Sequence, residues 1–269
     1  MKRIVLAFPA AACVALLAGC GSSSVNAALS KSFNYGAPQA PSASEQAAAS
    51  SAQANLSDAT AFASAPDGTK GAAVASFVDE LAAAALGSSP LGIAAPAPAT
   101  RTRMVTRAVT SDCAVVSGNT VTFKNCTETD SGFTITLNGS ISASAGSVTW
   151  DVSGGFSGTD AASGVSVNLN IHDAGTIAVT STTVKGSATS EFGGSVSAQG
   201  QHASFGLDTA AVVDMTYQTT PSYCVTSGTV EVKRVWTQRP QGASGPDFAD
   251  VAVKLTWSGC DAVQVAHST

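Results

Sequence analysis

From Val109 to the C-terminus, apolar residues recur at every second position. In VSVNLNI, Val165, Val167, Leu169 and Ile171 fall on one side, and Ser166, Asn168 and Asn170 on the other. SVTWDV aligns Val148, Trp150 and Val152; FTITL aligns Phe133, Ile135 and Leu137; VAVKLTW aligns Val251, Val253, Leu255 and Trp257. A period of two predicts strands with one buried face, because successive side chains of a strand point to opposite sides. Asn138-Gly139, Ala145-Gly146, Asp173-Ala174-Gly175 and Lys185-Gly186 punctuate these runs and read as turns. Asn-Gly is the strongest of the four, since a type I′ hairpin turn needs positive φ at both central residues. The expectation for residues 109–269 is an all-β domain of about ten to twelve short strands, arranged antiparallel as a sandwich or an open or half barrel. No helical crossover interrupts the pattern, which argues against a parallel α/β sheet.

Upstream the period is lost. Residues 20–108 are rich in alanine, serine and proline, and APQAPSASEQAAASSAQANL offers too little apolar surface for a core. One segment differs. In GAAVASFVDELAAAALG, the residues Val74, Phe77, Val78, Leu81 and Ala85 recur at helical spacing and Gly87 is placed to end the run, so a short helix is expected near 72–86. SSPLGIAAPAPA then reads as an extended spacer. The whole stretch has the composition of a tether.

The N-terminus explains what such a tether would hold. Lys2 and Arg3 precede a mostly apolar run, Ile4 to Ala18, too short for the roughly 20 residues that span a bilayer. Basic start, short apolar core and small residues at its end describe a secretory signal peptide, residues 1–19. Leu17-Ala18-Gly19-Cys20 resembles the lipobox of bacterial lipoproteins. That resemblance implies cleavage before Cys20, a thioether-linked diacylglycerol on its sulfur and a further acyl chain, such as palmitate, on the new amino terminus. Several acyl chains anchor firmly where one alone is marginal. Gly21 stands where inner-membrane retention would favour aspartate, so in a Gram-negative cell the resemblance implies the outer membrane, in either leaflet. The competing readings are an ordinary signal peptide with a chance cysteine, or an uncleaved helix.

With Cys13 removed and Cys20 lipidated, Cys113, Cys126, Cys224 and Cys260 remain. An even number in an exported chain reads as two disulfides. CAVVSGNTVTFK from Cys113 echoes CVTSGTVEVK from Cys224, and each copy reaches a second cysteine after a strand. The echo favours Cys113–Cys126 and Cys224–Cys260, each clamping its own hairpin, over the crossed pairs Cys113–Cys224 and Cys126–Cys260. Strict symmetry about Gly242 would set Val230 opposite Lys254, a mismatch that a one-residue bulge would repair.

Charge narrows the partners. Between Asn125 and Val232 nine carboxylates face a single base, Lys185. Such a surface repels a phosphate backbone, which argues against nucleic acid. The cysteines show no C-x-x-C pair and no clustering with histidine, which argues against a zinc site. No G-x-S-x-G elbow and no H-E-x-x-H occur. His172 lies on a polar strand face with Asp173 pointing the other way; His202 sits in an apparent turn and His267 in the tail. GGFSGTD, Gly154 to Asp160, reads as a glycine loop. No catalytic residue, metal ligand or cofactor is therefore assigned. The sequence points to a noncatalytic, lipid-anchored protein of the cell envelope, whose β domain is structural, adhesive or partner-binding. Its partners would be the membrane, through Cys20, and an envelope protein, a polysaccharide or a lipid. The alternatives are a half-barrel carrier or receptor for an apolar ligand, and an enzyme acting on polysaccharide.

Overall fold

The computed structural model describes residues 26–46 and 113–269, apart from 44, 131, 145, 161, 162, 199 and 261. The signal peptide, Cys20 and the helix expected near 72–86 lie outside the described residues.

The β region is one sheet of ten strands: β1 (Ala114–Ser117), β2 (Thr120–Asp130), β3 (Phe133–Ser144), β4 (Ser147–Asp160), β5 (Val165–Val179), β6 (Thr183–Ala198), β7 (Gln201–Gln218), β8 (Cys224–Gln238), β9 (Val251–Trp257) and β10 (Val263–His267). Each strand pairs antiparallel with its neighbour in sequence, in the order β1 to β10, so the sheet is an open meander and not a two-layer sandwich.

The strands are longer than the turn signals suggested, because three of the four expected turns lie inside strands. Asn138-Gly139 is in β3, Asp173-Ala174-Gly175 in β5 and Lys185-Gly186 in β6; of the four, only Gly146 of Ala145-Gly146 falls in a turn, just before β4. These glycines serve close approach. A Cβ on Gly139, whose φ is 118°, would lie 2.1 Å from the Asp151 carbonyl oxygen, and one on Gly186 2.0 Å from that of Thr176. Gly175 sits beneath the Trp150 indole, with 2.4 Å from an ideal Cβ to Cζ2. Glycine inside a strand marks a bend or a neighbour that leaves no room for a side chain. GGFSGTD likewise runs inside β4 and forms no loop.

Register carries the apolar alternation across the sheet, since directly paired residues share a face. Ile141, Trp150, Gly175, Ala188, Ala211, Val232 and Val253 form one cross-strand row. The next row holds Val148, Ile177, Gly186, Val213, Val230, Leu255 and Val265. These rows belong to a single buried cluster reaching from Phe123 on β2 to Val265 on β10. The opposite face is lined with hydroxyls, including the cross-strand pairs Thr149–Thr176 at 3.1 Å and Thr159–Ser166 at 2.8 Å.

The cysteines pair as the internal echo indicates. Cys113 and Cys126 tie the β1–β2 hairpin with Cα atoms 5.2 Å apart, and Cys224 and Cys260 close the open end of the β8–β9 hairpin at 5.3 Å. Val230 opposes Leu255 and Glu231 opposes Lys254 in an unbroken register, so the expected bulge is not needed: the hairpin is centred between Gly242 and Ala243, half a residue from strict symmetry about Gly242.

Part of the expected tether packs on this sheet. Helix α1 (Ala27–Ser30) is capped by Asn26, whose Oδ1 accepts the Leu29 N–H at 3.1 Å. Ala28 is buried against Ala210 and Val235 on the polar face of β7 and β8, among the charged Asp208, Glu231 and Lys233. The Ala27 N–H donates to Asp208 at 2.7 Å, and Lys31 pairs with Asp250 at 2.6 Å. Lys233 Nζ donates to the Lys31 carbonyl at 2.9 Å, and the Tyr35 hydroxyl donates to Glu231. The chain then bridges Tyr35 to Ser268 and Gln39 to Val265, alongside β10.

The glycines separate two kinds of cost. Gly139→Ala combines a positive φ with a backbone collision and should destabilise by about 3 kcal/mol or more. Gly164→Ala, also at positive φ but with open space around it, should cost about 1 to 2 kcal/mol. Urea unfolding of the two variants measures the difference.

Candidate functional site

The buried cluster occupies only part of the apolar face. Because β4 to β7 run 14 to 18 residues whereas β9 and β10 hold 7 and 5, the long strands continue past the covered region. β8 stops opposite Gly206, so Gln201 to Phe205 of β7 extend beyond it. On this extension the apolar rows persist. Ile135, Phe156, Leu169, Gly194 and Phe205 form one; Leu137, Gly154, Ile171, Phe192, Leu207 and Trp236 form the next. Phe205 and Trp236 are buried, but Ile135, Leu137, Phe156, Leu169, Ile171, Phe192 and Leu207 are only half-buried. Phe133 and Phe156 stack with centroids 5.1 Å apart, and Phe192 meets Phe205 at 5.2 Å. A row containing Val152, Asp173, Ser190, Thr209 and Arg234 separates this open half from the covered core.

Arg234 and Trp236, neighbours on the same face of β8, are both buried. Arg234 Nη2 donates to the Asp247 carbonyl at 3.4 Å, while its Nε and Trp236 Nε1 have no acceptor among the described residues. Burial lowers the Arg234 pKa, and the carboxylates of Asp247 and Asp250 oppose that shift. Trp236 packs on Phe248 in the β8–β9 loop, centroids 5.2 Å apart.

The titratable groups gather on the other face. His172 bridges two strands, with Nε2 2.9 Å from Asp151 and Nδ1 3.6 Å from Glu191. Burial opposes its charge, but the two carboxylates outweigh burial and raise its pKa. With both nitrogens engaged by carboxylates, the ring is suited to ion bridging and poorly placed to take a proton from a serine. Asp173 lies on the opposite face, as alternation requires. His202 is at the start of β7, joined to Ser197 at 2.9 Å and Ser204 at 3.1 Å on the exposed surface. His267 on β10 meets Glu45 at 3.0 Å. Next to Glu191 in register is Asp208; burial and then Glu191 raise its pKa, against the Ala27 N–H that lowers it. No group of three such side chains among the described residues could hold a metal ion.

Sequence reading did not place Phe192, Phe205 or Leu207 on a functional surface. The signal was present as alternation in EFGGSV and ASFGLD, but the glycines interspersed there dilute it. Comparison with protein families, curated proteins and solved structures finds no match to the chain.

The sign of the His172 shift fixes a pH effect. A raised folded-state pKa contributes stability that is fully present below about 6.5, the ordinary imidazole value, and is lost as pH rises through the folded value. Thermal unfolding at pH 6 and pH 9 should show a loss in the wild type that His172→Gln reduces. The effect should not exceed about 1 kcal/mol, since exposed pairs are screened.

Proposed function

We propose that this chain is a noncatalytic, lipid-anchored protein of the cell envelope that binds an apolar partner on the open half of its β-sheet. The observation that carries the reading is the continuation of two apolar rows past the covered core, with Leu169, Ile171 and Phe192 half-buried among them. A contiguous apolar surface of this kind on a folded domain marks an interaction site. The anchor rests on the lipobox resemblance at Cys20, and the outer membrane on Gly21. The carboxylate-rich opposite face supports partners other than nucleic acid.

A second reading, carriage of an amphipathic lipid, is supported by the two buried donors at the border of this surface. Arg234 Nε and Trp236 Nε1 lie beside Leu207, where an anionic or carbonyl head could meet them while its chain followed the apolar rows. Buried donors without acceptors cost about 1 to 3 kcal/mol each, which an acceptor would recover.

A neutral apolar dye, N-phenyl-1-naphthylamine, tests the surface. The wild type should enhance its fluorescence, and Leu169→Asp with Phe192→Asp should weaken binding at least tenfold while leaving the melting curve of the distant core in place. Equal binding by a folded double variant would defeat the assignment. Organic extracts of detergent-free Cys20→Ser protein then choose between the readings: copurified lipid indicates carriage, and its absence a protein partner.

A further inference from the structure

The docking of α1 changes what the tether does. Were all of residues 20–108 a free tether, about 90 residues of flexible chain would separate Cys20 from the sheet, with a root-mean-square span of roughly 50 Å. Asn26 is instead buried at the start of a segment held along the sheet. Ala28 fills an apolar site over Ala210 and Val235, flanked on the same face by the charged Asp208, Glu231 and Lys233. Asp208 holds the first N–H of the helix, Lys31 and Asp250 form an ion pair, and Gly36, Gln39 and Thr269 make backbone hydrogen bonds that tie 34–39 to β10. Asp250 is well placed for this. Burial works against its ionisation, but Lys31, the Trp236 N–H and Arg239 together hold its pKa below the ordinary carboxylate value.

Asn26 follows Cys20 by only six positions, and that length of chain, fully extended, reaches about 20 Å. The long Ala/Ser/Pro-rich stretch therefore lies after the first point of attachment and does not set the distance from the acyl chains to the sheet. Leu29, in the single turn of α1, is exposed, as are only Val115 and Tyr223 among the large apolar side chains of the described residues.

Resting on the lipid anchor proposed above, we infer that the docked N-terminal segment is a short leash that holds the polar face of β7 and β8, around α1, against the headgroup surface of the bilayer. The partner of this surface is the membrane itself.

The test uses the full lipidated chain, purified from membranes and reconstituted in zwitterionic phosphatidylcholine vesicles that carry acceptor lipids, so that the carboxylates of this face meet no net negative surface. A donor dye on Thr237→Cys, beside Val235 on the docked face, should transfer energy at least twofold more efficiently than one on Ser117→Cys at the opposite edge of the sheet. A Gly/Ser insert of about thirty residues placed before Val25, with a root-mean-square span of roughly 30 Å, should abolish that difference. The same insert placed after Thr60 should leave it unchanged. Equal transfer from the two sites in vesicle-bound protein, or loss of the difference only with the second insert, would overturn the leash while leaving the anchor standing. Protein that fails to bind vesicles, with an intact mass lacking acyl groups, would overturn the anchor and the leash with it.

Discussion

A single sheet has two faces and, in a meander, nothing but its own strands and connections to cover them. Here the constraint that organises the molecule is the mismatch in strand length across that sheet. β7 is 18 residues long and β9 only 7, yet both contribute to the same apolar face. Where all the strands overlap, side chains such as Val230, Val265 and Met215 are entirely buried. Each such residue contributes about 1.5 to 3 kcal/mol, which makes this end the source of stability. Where only the long strands run, most equivalent positions stay half-buried, Phe205 and Trp236 being buried. Stability and the proposed recognition thus use one alternating pattern, divided by how far each strand extends.

The same pattern decided how much could be read from sequence. Period-two runs such as Val165 to Ile171 and Val251 to Trp257 were legible because both faces are populated: apolar side chains mark one and hydroxyls or amides the other. The cysteine pairs were legible because two hairpins echo each other, although the bulge expected at Val230 is absent and the offset lies in the β8–β9 connection. The turns were not. Asn138-Gly139 has hairpin chemistry, yet Asn138 Oδ1 accepts the Asn125 N–H at the β2 irregularity, and Gly139 lets β4 approach closely. Local propensity named residues that tolerate positive φ, but strand pairing used that tolerance for bends. Phe192 and Phe205 escaped notice for a related reason: glycines on the same face, Gly194 and Gly186, leave gaps in the alternation that only cross-strand register fills.

Edges are the hazard of an open sheet, since unpaired backbone groups invite other strands. Both ends are managed by short segments. β1 is only four residues long and the Cys113–Cys126 bridge clamps it to β2. At the other end the chain from Asn34 to Gln39 lies against β10, with Gln39 and Val265 exchanging both backbone hydrogen bonds at 2.9 Å. The N-terminal segment therefore has two structural duties: it covers the apolar pair Ala210 and Val235 on the polar face, and it caps the last strand. Composition hides this. ALSKSFNYG looks like more of the low-complexity stretch, and only a few of its side chains, Ala28, Lys31 and Tyr35 among them, carry the docking.

The leash and the apolar surface constrain one another. At β7 and β8 the two faces of the sheet are back to back: Ala210, Lys233 and Val235 face α1, while Ala211, Val232 and Trp236 face the apolar side. If the α1 side is held at the headgroups, the open apolar rows are directed away from the bilayer that anchors the protein. Simple insertion of that surface into the same membrane would then require turning the domain over, and so short a leash opposes such a turn. The half-buried apolar rows would then be better matched to something that approaches from the aqueous side: a protein partner, or a lipid in transit. A long tether would have allowed either orientation, and so would have left the apolar surface free to bury itself in the nearest bilayer. With the proposed anchor at Cys20, docking residues 26–39 on the opposite face would remove that competing outcome, which would be a physical reason for the proposed partner-binding sheet to carry its attachment point on its polar side.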